Sequence, residues 1–145
     1  MPTKDQIKNK NQYKHQKRHF MIFLRSLLVY LSVIVVLSLF FMIDELKFGL
    51  FFLVYGTLSD ILILGSPFLF FGIRMIRILK DDYHAENVEV VSYDFSTSEK
   101  IYLTLQTGSG ELKDAVIFKD VFDSDVSLKT GSVIEAYIGK ENVLL

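Results

Sequence analysis

The chain has 145 residues, half of them hydrophobic, with a formal net charge of −1 and a mean hydropathy of +0.33. Cysteine is absent, which excludes disulfides, thiolate metal sites, thiol nucleophiles and palmitoylation, and Pro2 excludes myristoylation. The charge is unevenly spread: residues 1–19 carry six basic residues against Asp5 alone, a net +5, whereas residues 81–145 carry five lysines against thirteen acids, a net −8.

Residues 1–19 are polar, rich in Lys, Asn and Gln, and poor in apolar side chains, so they read as a disordered or loosely helical lead-in. Phe20 to Ile43 follows as a first apolar run, with 18 consecutive uncharged residues from Ser26 to Ile43. A helix rises about 1.5 Å per residue and a bilayer core is about 30 Å thick, so about 20 such residues span it. Asp44-Glu45-Leu46-Lys47 is too short for anything but a tight turn, and Phe48 to Ile73 forms a second run whose single acid is Asp60. These patterns predict a transmembrane helical hairpin over 20–79, with spans 20–43 and 48–73. Gly65-Ser66-Pro67 should loosen or kink the second span, because proline lacks a backbone donor and crowds the preceding turn. The helix then continues to about residue 79, followed by a solvated linker over 80–86.

Lys and Arg close to a span are retained on the cytoplasmic side. Lys14, Lys17 and Arg18 precede the first span, Arg74, Arg77 and Lys80 follow the second, and the turn between them has Lys47 alone. Both termini are therefore expected in the cytoplasm, with the protein in the plasma membrane of a bacterial cell. Arg25 is expected to snorkel to the headgroups, and the basic tail to attract anionic lipid. A cleaved signal peptide fits poorly, because the first run far exceeds an apolar segment of about 7–15 residues and no small-residue cleavage site follows it.

From Asn87 the periodicity becomes two, which places side chains on opposite faces of strands. Residues 87–145 are expected to form a separate cytoplasmic β domain. Val88 to Phe95 switches phase between Val90 and Val91, the mark of a bulge. Ile101, Leu103 and Leu105 share a face in a second strand, and Leu112, Val116 and Phe118 share one in a third. Thr107-Gly108-Ser109-Gly110 joins these two as a hairpin turn. Ser132 to Ile138 gives a fourth strand and Val143 to Leu145 a fifth, with an irregular stretch from Asp120 to Thr130. Five short strands in so few residues hide a core only by curling, so the fold class is an α+β membrane protein: a two-helix hairpin followed by a small five-stranded barrel of OB or SH3-like type. The segment Lys129-Thr130-Gly131-Ser132-Val133-Ile134-Glu135-Ala136-Tyr137, with Val143-Leu144-Leu145, resembles the closing hairpin of small barrels appended to bacterial membrane helices, including NfeD-like domains. That resemblance implies architecture and carries no functional residue.

Asp60 is the sharpest candidate site, because an Asp at mid-span costs about 2.5–3.5 kcal/mol on translocon scales. The short turn sets it opposite Leu31, between Tyr30 and Ser32, with Thr57 and Ser59 close by on its own helix. The expected roles are a protonated or hydrogen-bonded acid that fixes helix register, a polar contact to another subunit or membrane protein, or proton transfer in an oligomer. Gly49, Gly56 and Ser59 would permit close helix approach. His15 and His19 have a chelating spacing but sit among Lys14, Lys17 and Arg18, so a solvated tail is expected there in place of a metal. Asp81-Asp82-Tyr83-His84 reads as solvated linker, Gly108-Ser109-Gly110 as a turn, and Asp114, Asp120, Asp123 and Asp125 as solvated acids whose spacing misses a calcium loop. Tyr93, Tyr102 and Tyr137 resemble a stacking platform, but the net −8 of this region opposes nucleic acid. No cofactor and no catalytic set is expected. The sequence points to a non-enzymatic accessory or scaffold protein that engages the bilayer and another membrane or cytoplasmic protein or its own copies. Two alternatives remain: a self-protection protein of the bacteriocin-immunity kind, and an oligomeric ion or proton conductor using Asp60.

Overall fold

The computed structural model describes residues 1–95, 98–121, 129–140 and 142–145. Asp123 and Asp125 lie outside the described residues. The chain forms two compact units, Met1–Gln16 with Met75–Leu145, and Lys17–Arg74.

The first unit holds a nearly closed five-stranded antiparallel sheet, with β1 (His84–Asp94), β2 (Lys100–Gln106), β3 (Leu112–Phe118), β4 (Val133–Ile138) and β5 (Val143–Leu144) in the order β3-β2-β1-β4-β5. After the β1-β2-β3 meander, β4 returns to pair with β1, which is the Greek-key connection. β1 starts at His84, four residues earlier than expected, and is long enough to serve two partners: Glu89 to Asp94 face β2 and His84 to Glu89 face β4. The β1–β2 register shifts between Val90 and Ser92. Val91 is the extra residue, as the change of phase implies, and this bulge lets one strand bend between two pairings.

Alternation places Val88 and Val90, Ile101, Leu103 and Leu105, Ala115 and Ile117, and Ala136 and Ile138 in one core. Each large apolar side chain buried in this way contributes about 1.5–3 kcal/mol. The β3 face anticipated from the sequence is the outer one. Ala115 pairs with Leu103 and Ile117 with Ile101, so the inner face of β3 follows theirs, and Leu112, Val116 and Phe118 point outward. Gly110 and Gly131 adopt φ +83, a conformation costly to any residue with a Cβ. Gly110 closes the β2–β3 turn by donating its N–H to the Thr107 carbonyl at 2.8 Å.

Of the two forms expected for the tail, disordered or loosely helical, the structure has the helical one: α1 (Lys4–Lys8) and the beginning of α2 (Asn11–Asp44). Thr3 and Gln6 cap α1 reciprocally, the Thr3 hydroxyl accepting from the Gln6 N–H and the Gln6 side chain accepting from the Thr3 N–H at 2.7 Å. Ile7 and Tyr13 are buried with Ile78, Tyr83, Tyr137 and Leu144 in a second apolar cluster. The supposed linker is ordered as well. Asp81 Oδ1 accepts from the Lys140 N–H at 3.1 Å and Oδ2 from the Asn142 side chain at 3.2 Å, so this carboxylate clamps the turn between β4 and β5.

The second unit contains most of α2, α3 (Leu46–Asp60), a π-helical turn at Ile61–Gly65 and the start of α4 (Ser66–Lys80). Glu45 alone breaks the helix, with extended φ −145 and ψ 106. A Cβ on Gly49 would lie 2.8 Å from the Ser38 carbonyl oxygen, and one on Gly56 would lie 3.0 Å from Ile34 Cγ2. These two glycines therefore set how closely the helices of the hairpin approach. The π turn falls just before Pro67, where an α-helical ladder would have to absorb a missing donor, and the Ser66 hydroxyl donates to the Leu62 carbonyl at 3.0 Å. Asn11–Asp44 and Leu46–Lys80 are both long and apolar enough to span a membrane.

Candidate functional site

Asp60 closes α3 at the start of the π turn and is 7 % exposed. Its Oδ2 is buried and has no hydrogen-bond partner among the described residues. The hydroxyls expected to serve it are committed to their own helices: Ser32 donates to the Leu28 carbonyl at 2.8 Å and Thr57 to the Leu53 carbonyl at 2.6 Å. Ser38, also buried, donates to the Ile34 carbonyl at 2.6 Å. Such back-bonding satisfies a hydroxyl inside an apolar helix, and it leaves the carboxyl alone. Tyr30 and Ser59 line, with Asp60, Ile34, Gly56, Ile63 and Leu64, a cavity of about 380 Å³. A buried polar group without a partner costs several kcal/mol in apolar surroundings. The cavity is where a donor from outside these helices could relieve that cost.

The other polar construction in the molecule was not visible in the sequence. An open antiparallel sheet leaves unpaired N–H and C=O groups along its edge strands, here β3 and β5. Asn11 and Gln12 occupy those groups. The Asn11 amide donates to the Phe118 carbonyl at 2.9 Å and accepts from the Phe118 N–H at 2.8 Å. Gln12 donates to the Val116 carbonyl at 2.8 Å and accepts from the Leu145 N–H at 3.0 Å. The Asn11 N–H donates in turn to the Leu145 carbonyl at 2.9 Å. Two side-chain amides thus bond β3 on one side and the residue after β5 on the other, completing the ring that the strands leave open.

The surrounding contacts reinforce this clasp. The His15 ring stacks on Phe118 with centroids 3.7 Å apart, and its Nδ1 lies 2.8 Å from Asp120 Oδ1. His15 is therefore packed, where a solvated tail was expected. Lys10 Nζ sits 4.1 Å above the Tyr137 ring. Burial lowers its pKa from the ordinary lysine value, against a smaller opposing pull from Glu135. Burial, with the Asp81 carboxylate as second cause, holds the Tyr83 phenol above the ordinary tyrosine range.

The basic residues expected to set topology are Lys14, Lys17, Arg18, Arg25, Arg74, Arg77 and Lys80, and all are exposed. Arg74 lies over the Phe70 ring at 4.3 Å. The clasp side chains Asn11 and Gln12 open α2, the helix that carries Lys14, Lys17, Arg18 and Arg25. One sequence signal marked α1, the Thr3-to-Gln6 capping box. Nothing comparable marked Asn11 and Gln12, because hydrophobic periodicity is blind to a buried face made of amides.

The molecule so described pairs two long apolar helices with a small, nearly closed antiparallel sheet held shut by its N-terminal segment. No protein-family model, no curated protein and no solved structure matches the chain.

Proposed function

We propose that this is an integral membrane accessory or scaffold protein, without catalytic activity of its own, that presents a small acidic β domain at the cytoplasmic face of a bacterial plasma membrane. The observation that carries the reading is the apolar surface of the two helices. Among the residues of their most apolar windows, 6 % and 17 % are buried, and side chains such as Val36, Phe40, Leu62 and Ile63 are more than 60 % exposed. A core helix of a water-soluble domain would bury that face. The topology draws support from the first unit, in which residues 1–16 and 75–145 form one compact body. Segments before the first span and after the second that pack together share one side of the membrane, and the basic residues flanking the spans favour the cytoplasmic side. The Greek-key order and partial closure of the sheet favour an OB-type barrel over an SH3-like one. Its acidity favours a basic protein surface as partner.

Because the chain has no cysteine, single cysteines report topology cleanly. Cysteine at Leu145 should resist a membrane-impermeant maleimide in intact cells, and one at Lys47 should react; the reverse pattern, or extraction without detergent, refutes the topology. Crosslinking followed by purification in mild detergent should recover a stoichiometric membrane or cytoplasmic protein partner. A bound nucleotide or metal at equal stoichiometry would refute the accessory role. An oligomeric proton or ion conductor is the second reading, favoured by the unpartnered Asp60, and it predicts conductance in proteoliposomes that Asp60→Asn abolishes.

A further inference from the structure

We infer that the Asp60 cavity is a docking site for the lysine side chain of a transmembrane helix in another protein. The inference rests on the membrane reading above and names the chemistry of the partner.

Three observations carry it. The carboxyl is 7 % exposed and Oδ2 is buried without a hydrogen bond among the described residues. The Ser32, Ser38 and Thr57 hydroxyls each donate to a carbonyl of their own helix. The cavity beside the acid holds about 380 Å³ and is walled chiefly by apolar groups of Tyr30, Ile34, Gly56, Ile63 and Leu64.

An occupant must match both parts of this site. The apolar wall calls for an alkyl stem, and the acid calls for a donor at the end of it. A flat helix surface places no donor inside a cavity, whereas lysine carries three donors on an unbranched four-carbon stem. The terminal torsion of Asp is broad, so the carboxyl can turn an oxygen toward a donor that enters the cavity. An amine and a carboxyl group also form a pair of zero net charge wherever the proton resides. Two groups that are each costly in lipid become jointly tolerable. Gly56 assists, since its missing side chain opens the wall and lets a neighbouring backbone come near.

The test uses the full chain in lipid vesicles and, as probe, a leucine peptide of about 21 residues with one central lysine, against the same peptide with central leucine. Energy transfer between donor-labelled chain and acceptor-labelled peptide reports association, and flotation of the vesicles reports insertion separately. The lysine peptide should associate about tenfold more tightly than the leucine peptide. Asp60→Asn should remove that preference while the chain still floats with the vesicles. Equal association of both peptides, or a preference that survives Asp60→Asn, overturns the pairing and leaves the membrane reading standing. A chain that does not float with vesicles overturns both. Self-association of labelled chains that is lost in Asp60→Asn, or displacement of neither peptide but binding of dodecylamine alone, assigns the cavity to a second copy or a small amphiphile and overturns the proposal.

Discussion

Replacing Asn11 with alanine tests whether the sheet is closed by side chains. The variant deletes one donor and one acceptor, and it leaves the N–H and C=O of Phe118 on edge strand β3 without partners. Each net hydrogen bond is worth about 0.5–1.5 kcal/mol, and a buried group left unsatisfied costs about 1–3 kcal/mol. Asn11 is 9 % exposed, so water reaches the vacated groups in part, and the expected loss is about 2 kcal/mol. That is a large share of a small domain's stability of about 5–15 kcal/mol. Asn11→Asp separates the two bonds: it keeps an acceptor for the Phe118 N–H but sets a second oxygen against the Phe118 carbonyl. Urea unfolding followed by the near-ultraviolet signal of the tyrosines measures the loss, and hydrogen exchange locates it. Exchange at Phe118 should rise in Asn11→Ala and stay slow in Asn11→Asp, while Leu145, bonded to Gln12, should open in Gln12→Ala. A Phe118 amide as protected in Asn11→Ala as in the parent would show that the ring is closed by strand contacts alone and refute closure by side chains.

Gly139→Ala should destabilise the β domain strongly, because a Cβ there would meet Asp81 Oδ2 and lie 2.8 Å from Tyr83 Cε1; a melting temperature within a degree or so of the parent would refute the Asp81 clamp. The Tyr83 phenol is raised in the folded state, so above about pH 10 the unfolded chain releases a proton that the folded chain keeps. Stability is then full below that pH and falls as pH rises; Tyr83→Phe should lessen this alkaline loss, read as the pH midpoint of unfolding. In the hairpin, Gly49→Ala should force the helices apart, since its Cβ would fall 2.7 Å from the Met42 backbone nitrogen. Disulfide trapping between cysteines placed at Ser38 and Phe52 should be slower in that variant, and an unchanged rate would count against close packing at Gly49.

Some of this architecture is written one residue at a time, and that part was legible. Two apolar runs and a four-residue join specify a helical hairpin, because length and hydropathy are local sums. The strand phases of Ile101, Leu103 and Leu105 and the bulge at Val91 are equally local, set by the period of the backbone and by which side chains avoid water. The identity of the inner face of β3 was not local. Ala115 and Ile117 are inward only because their register opposes Leu103 and Ile101, and the larger Leu112 and Phe118 obscured that in the sequence. The candidate site divides in the same way. Asp60 announced itself as a lone acid in an apolar run, but its isolation arises because Ser32 and Thr57 bond backward along their helices.

The N-terminal segment shows where sequence patterns stop. Its polar, basic composition describes a chain with too little apolar surface to order itself, and alone that holds. It becomes ordered because two amides find four backbone groups that an unclosed sheet leaves over, and Ile7 and Tyr13 find an apolar cluster assembled from residues some 60 to 140 positions away. Hydropathy is a property each residue carries with it, whereas an unpaired edge exists only after distant strands have met. The sequence therefore determined the two apolar helices and the strands, and tertiary structure decided that the tail would complete the ring.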